Sequence, residues 1–175
     1  MAASANRSRR ARLRIRTLVR GWPWYYETTA LFRHEVIFRA IPNTPDYFQL
    51  DMGAWAVTPL AFKPHAKRDI DGMSFFREDF VRCQAVAEAN KHAQKARVAR
   101  IEVAQLKPLE LEAKPDPDVA ELPGHAIVPE MKYRKNLSDE QRQKTKDRSQ
   151  KLAQFATRNG VYSPPHLPDP VRTVE

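Results

Sequence analysis

This sequence has little of several things that would announce a function. It contains one cysteine, Cys83, in 175 residues. That excludes a disulfide framework within the chain and a thiolate zinc cluster built from one copy. There is no run of about 18 apolar residues of the kind that spans a bilayer. The longest mostly apolar stretch, Gly53 to Phe62, is broken by Thr58 and Pro59. The N-terminus has no apolar core of a secretory signal. Glycine is scarce, 5 residues against 14 prolines, so the chain is stiff and has few loops able to cradle phosphate through bare backbone. No nucleotide loop, nucleophile elbow or zinc-finger spacing occurs.

Acid is missing where base is most abundant. Residues 1–20 hold seven arginines, and no acid precedes Glu27. Residues 21–130 hold thirteen Lys/Arg against sixteen Asp/Glu, and residues 131–158 hold nine against three. The formal charge of +9 therefore resolves into a mildly acidic middle with two basic flanks. Basic flanks suit phosphate neutralisation or an acidic partner. The first flank fits a mitochondrial transit peptide and equally a basic arm. The arm is preferred because Gly21-Trp22-Pro23-Trp24 soon reads as ordered chain. The Trp22 to Tyr26 aromatics suit packing on the core or a partner better than base stacking.

Hydrophobic residues at 42% and charged residues at 29% suffice for a packed core. Residues 33–41 read as a strand ended by Pro42, with a turn at Asn43 to Asp46. Tyr47 to Asp51 and Ala54 to Phe62 read as extended, Lys63 to Gly72 as a polar loop, and Ser74 to Phe80 as undecided. Phe80 to His92 reads as a helix, Ala96 to Leu111 as a strand split by Pro108, and Gly124 to Pro129 as a short strand. Ser138-Asp139-Glu140-Gln141 is a capping box that starts a helix, and Asn159-Gly160 stops it. The first turns of that helix are polar all round, predicting projection into solvent or onto a partner.

These elements predict an α+β fold: a small mixed or antiparallel sheet with one packed helix. A basic C-terminal helix and a disordered N-terminal arm would be attached to it. The expected boundaries are a disordered basic arm at 1–21, the domain at 22–130, a basic helical extension at 131–160 and a Pro-rich disordered tail at 161–175.

The candidate chemistry is sparse. Asp69-Ile70-Asp71-Gly72 has the look of a calcium loop but lacks the third ligand and the later bidentate acid, so a turn is expected and no metal or cofactor is assigned. His125 and His65 could serve as general bases if a carboxylate oriented them. Arg39 and Arg77 could clamp a phosphate or carboxylate, although an internal ion pair with Asp69, Asp71 or Asp79 is the plainer expectation. Cys83 reads as a buried inert thiol.

Four elements occur in order: Arg39-Ala40-Ile41-Pro42, Ala61-Phe62-Lys63-Pro64, Asp69-Ile70-Asp71-Gly72-Met73-Ser74 and Leu122-Pro123-Gly124-His125-Ala126-Ile127-Val128-Pro129. Over residues 33–130 the chain resembles a family of small uncharacterised bacterial proteins with ordered Arg-x-x-Pro, Ala-Phe, Gly-x-Ser and His-Ala elements. The resemblance implies a compact α+β domain, bacterial origin and no particular activity. Met73 and Phe75-Phe76 depart from its aliphatic pattern. It would put a shared site at Arg39, Ser74 and His125.

The leading functional expectation is a cytoplasmic bacterial accessory protein that docks a protein partner and touches nucleic acid or an acidic surface. The contacts would come from Arg9, Arg10, Arg12, Arg14 and Arg16 of the arm and from Lys144 and Arg148 of the helix. Two alternatives stand beside it. One is an enzyme acting on a nucleotide or nucleic acid, with His125 as acid or base, Arg39 as anion clamp and Ser74 as polar contact. The other is a simple DNA- or RNA-binding protein. Sequence leaves the oligomeric state open.

Overall fold

The β-branched and aromatic run Val36–Pro42 forms β1, the strand on which the sheet is centred. The computed structural model describes residues 30–51, 53–89, 96–116 and 123–170. The expected arm and the Trp22 to Tyr26 cluster lie outside these residues. β1 pairs along its whole length with β5 (Ala96–Glu102), from Val36 opposite Glu102 to Pro42 opposite Ala96. On its other side it pairs with β4 (Met73–Arg77) only at Ile37–Arg77 and Phe38–Phe76. β4 pairs with β7 (His125–Val128), which carries the short β6 (Lys114–Pro115) at one edge. β8 (Val161–Tyr162) closes the other edge against β5. The order is β6-β7-β4-β1-β5-β8, and every pairing is antiparallel. A separate hairpin joins β2 (Phe48–Asp51) to β3 (Ala54–Val57). The α+β expectation holds, with the sheet antiparallel throughout.

Alternation along the strands sends side chains to two cores. Ile37, Ile41, Met73, Phe75, Ala99, Ile101 and Val128 join a large cluster with Phe48, Val57, Phe62, Leu152, Ala153 and Ala156. Phe38 and Val98 face the other way and pack with Val86 and Ala87 of α1 (Cys83–Glu88). Burying each large apolar side chain contributes about 1.5–3 kcal/mol, so the first cluster dominates the favourable side of folding.

The long helix α2 (Asp139–Asn159) starts as expected. The Ser138 hydroxyl accepts from the Gln141 N–H at 3.3 Å, and the Gln141 side chain accepts from the Ser138 N–H at 3.2 Å. Its role differs from the expected extension at 131–160. Ser149, Leu152, Ala153 and Ala156 recur at three- and four-residue spacing, and that stripe is buried in the main core. The helix is part of the domain.

The tail expected to be unstructured over 161–175 is placed on the core as far as Pro170. Pro164, Leu167 and Pro170 are buried. Arg97 explains this. Its Nε donates to Asn43 Oδ1 at 2.9 Å, and its Nη2 reaches the Pro168 carbonyl at 3.3 Å and Asp169 Oδ1 at 3.4 Å. The Trp55 indole donates to the same Asp169 oxygen at 3.0 Å. Proline content suggested looseness, but prolines forgo little conformational entropy when a few anchors hold them.

Three further boundaries moved. Extended chain after Thr58 gives way to a 3-10 turn at Pro59–Phe62, which the fixed φ of Pro59 favours. The helix expected over Phe80 to His92 spans Cys83–Glu88 among the described residues. The strand expected to reach Leu111 stops at Glu102 and passes into 3-10 turns at Val103–Gln105 and Lys107–Leu109, the second containing Pro108.

Glu35 and Arg77 form a fully buried bidentate pair, with Nε–Oε1 at 2.5 Å and Nη2–Oε2 at 3.0 Å. Removing one member strands the other charge. Glu35→Gln is expected to destabilise by about 3–5 kcal/mol, and the double variant Glu35→Leu/Arg77→Met by less, as urea unfolding would measure. Gly124 precedes β7 at φ +71°, and a Cβ there would lie 2.6 Å from the Phe80 Cβ. Gly53 has a similar φ of +82° but open space around it. Gly124→Ala should therefore lower the melting temperature more than Gly53→Ala, which bears only the backbone cost of about 1 kcal/mol.

Candidate functional site

β1 and β4 part company just where the sequence places Arg39. The register would set Ala40 opposite Ser74, yet pairing ends at Phe38–Phe76. The Arg39 guanidinium enters the gap instead. Nη1 donates to the Ser74 carbonyl at 3.1 Å, and Nε donates to the Ala61 carbonyl at 3.3 Å. Nη1 also lies 3.5 Å from Asp69 Oδ1, and the Phe75 ring stands 5.9 Å from the guanidinium carbon. Asp69 is 1% exposed, and its Oδ2 accepts from the His65 N–H at 2.8 Å. Burial pulls the Arg39 pKa below its ordinary value, and Asp69 opposes that fall. The expected internal pair of Arg39 with Asp69 is therefore present. Arg77 pairs with Glu35, which sequence reasoning did not name.

The split leaves a concavity of about 310 Å³ lined by Arg39, Ala40, Arg68, Asp69, Ser74, Phe76, Val86 and Ala89. Arg39 and Ser74 meet here. His125 does not line it. The His125 side chain sits opposite Phe76 in the β4–β7 register and makes an edge contact with that ring at 5.4 Å. Its Nδ1 is 3.0 Å from the Asp116 carbonyl and 3.3 Å from Asp116 Oδ2. His125 thus has a carboxylate neighbour, but its side chain is 5% exposed and its ring packs on the edge of Phe76. The proposed catalytic set of Arg39, Ser74 and His125 falls on the adjacent strands β1, β4 and β7 without converging on one pocket.

A second concavity of about 510 Å³ opens between the Pro59–Phe62 turn, the segment after Met131 and the first half of α2. Pro59, Leu60, Pro64, Tyr133 and Leu137 give it an apolar floor. Leu60 and Tyr133 remain 43% and 41% exposed. Lys63, Lys132, Arg134, Arg142 and Lys146 line it with no acid among the lining residues. Among the described residues, Arg142 is the only one of these five cations in an ion pair, with Asp139 at 3.9 Å. The groove depends on α2 packing against the turn, where the Ser149 hydroxyl lies 2.9 Å from the Phe62 carbonyl. Lys132-Tyr133-Arg134, an aromatic between two cations, was the legible sign of this groove and went unremarked among the basic residues.

The two helical cations chosen from sequence face elsewhere. Arg148 donates from Nε to the Leu109 carbonyl at 2.9 Å and from Nη2 to the Glu110 carbonyl at 3.0 Å. Lys144 pairs with the Glu110 carboxylate, which it holds below the usual carboxylate range. These contacts bind α2 to the turn at Glu110, a left-handed residue with φ 54°. Arg148 consequently has Nε and Nη2 engaged within the protein. Arg9, Arg10, Arg12, Arg14 and Arg16 lie outside the described residues.

Comparison with family models, curated proteins and solved structures finds no match to this chain. Among the described residues, no helix is long and apolar enough to cross a membrane.

Cys83 at the start of α1 is partly buried, and desolvation raises its thiol pKa. Its thiolate fraction near pH 8 is below that of an exposed thiol. Iodoacetamide should therefore alkylate the native protein more slowly than the urea-unfolded chain, with the gap narrowing as pH rises. Equal rates in both states would contradict the burial described.

Proposed function

We propose that this chain is a bacterial accessory protein of the interaction class, which docks an acidic, amphipathic segment of a partner protein in the groove between the Pro59–Phe62 turn and α2. The observation that carries this reading is the pairing of an apolar floor with five lining cations and no lining acid. Exposed Leu60 and Tyr133 offer apolar area to bury. Lys63, Lys132, Arg134 and Lys146 have no ion-pair partner among the described residues, so carboxylates of a partner meet cations that need not first abandon internal contacts. Such an arrangement speeds encounter and selects register, while the apolar floor supplies most of the affinity.

Catalysis is the weaker reading. His125 is buried and engaged with Asp116, and it does not line the concavity that Arg39 and Ser74 share. Nucleic-acid contact through the N-terminal arm rests on charge alone.

The test uses the full chain and three fluorescent probes: a short peptide repeating Glu-Glu-Leu-Leu, its Lys-Lys-Leu-Leu counterpart and an oligothymidine strand. Anisotropy should show binding of the acidic peptide in preference to the other two. The double variant Arg134→Glu/Lys146→Glu should weaken it at least about tenfold, and Leu60→Ser, which changes no charge, should weaken it severalfold. Tighter binding of oligothymidine, or an acidic-peptide affinity unchanged by Leu60→Ser, would overturn the docking reading in favour of plain electrostatic attraction.

A further inference from the structure

The concavity at the split between β1 and β4 is separate from the docking groove and has its own chemistry. A guanidinium offers five N–H donors. For Arg39, Nε is bound to the Ala61 carbonyl, and Nη1 is bound to the Ser74 carbonyl and faces Asp69. Nη2 forms no hydrogen bond among the described residues, although the side chain is only 7% exposed. A buried donor without a partner carries a desolvation cost that a ligand can recover. Arg68 and Ser74 line the same concavity, and neither the Arg68 side chain nor the Ser74 hydroxyl makes a hydrogen bond or ion pair among the described residues. Two guanidiniums against the single carboxylate of Asp69 leave the site net positive.

The opposite wall is apolar. Ala40, Phe76, Val86 and Ala89 complete the lining. A volume of about 310 Å³ lies at the lower end of small-molecule sites. We infer that this concavity is a binding site for a small organic oxyanion, a molecule with a carboxylate or phosphate head held by Arg39, Arg68 and Ser74 and an apolar body against Phe76 and Val86. Planar guanidiniums match either head group bidentately, which a lysine would not. The geometry also explains why Arg39 is so heavily tethered. Three fixed contacts leave one edge of the fork aimed without further loss of side-chain entropy.

The arms of the test separate head from body and carboxylate from phosphate. Phenyl phosphate, benzoate, inorganic phosphate and benzamidine are titrated into the full-length protein and followed by amide chemical shifts and calorimetry. The expected result is binding of phenyl phosphate or benzoate, weaker binding of inorganic phosphate and none of benzamidine, with shifts at Ala40, Ser74 and Ala89. Arg68→Glu and Ser74→Ala leave the internal contacts of Arg39 in place. Arg68→Glu should weaken binding at least about tenfold and Ser74→Ala severalfold. Shifts that map to Lys132 to Lys146 would assign the anions to the docking groove and overturn this site while sparing the groove. Binding that survives Arg68→Glu unchanged, or is absent for every anion, would overturn it as well.

Discussion

Three arginines whose charge lies inside the protein tie the loops of this domain to its sheet. Arg39, Arg77 and Arg97 are each at most 6% exposed. They project from β1, β4 and β5 at positions in phase with Ile37, Phe75 and Ala99 of the main core. Moving a charge from water to such a place costs several kcal/mol unless partners compensate it. Here each guanidinium meets a carboxylate and lies over a phenylalanine: Arg39 with Asp69 and Phe75, Arg77 with Glu35 and Phe80, Arg97 with Asp169 and Phe48. Those carboxylates lie on the segment entering β1, the loop before β4 and the tail after β8, and each pair sets where its segment rests. A sheet with short strands and proline-rich connections has few backbone ladders to do this, so side chains do it.

Arg39 is the tether with the widest consequence. By taking the Ser74 carbonyl it stands where backbone pairing between β1 and β4 would have continued. The strands separate, the turn at Pro59–Phe62 is drawn in through the Ala61 carbonyl, and a concavity opens beside α1. The same turn forms one side of the cationic groove against α2. Arg39 thus lines the first concavity and, through the Ala61 carbonyl, holds the turn that borders the second. The surface charge plays a different part. The basic segment 131–146 lines a groove, whereas Lys144 and Arg148, on the same helix, hold the Glu110 turn.

Much of the fold was legible. The Ser138 capping box and the Gly160 stop located α2 to the residue, because caps are local chemistry between groups three residues apart. β1 and β7 stood out through β-branched residues bounded by turns. The site was legible only in fragments. Arg39, Ser74 and Asp69 were visible as polar residues in apolar surroundings, and all three share a concavity. His125 looked equally chemical, yet alternation along β7 placed it opposite Phe76 and against Asp116. Charge counting chose Arg148 for a ligand, but its donors close a turn.

The sequence by itself determined the α+β class, the start and end of the long helix, and the division of charge between an acidic middle and basic flanks. Those properties depend on composition and on neighbours a few residues apart. Only the tertiary structure decided which charges are internal and which face a groove, and that the proline-rich tail lies on the core. The physical reason is separation along the chain. Arg39 reaches Ser74 across 35 residues, Arg77 reaches Glu35 across 42, and Arg97 reaches Asp169 across 72. No local pattern encodes such pairings. They follow from the strand register, which brings distant residues to hydrogen-bonding distance and leaves others exposed to a partner.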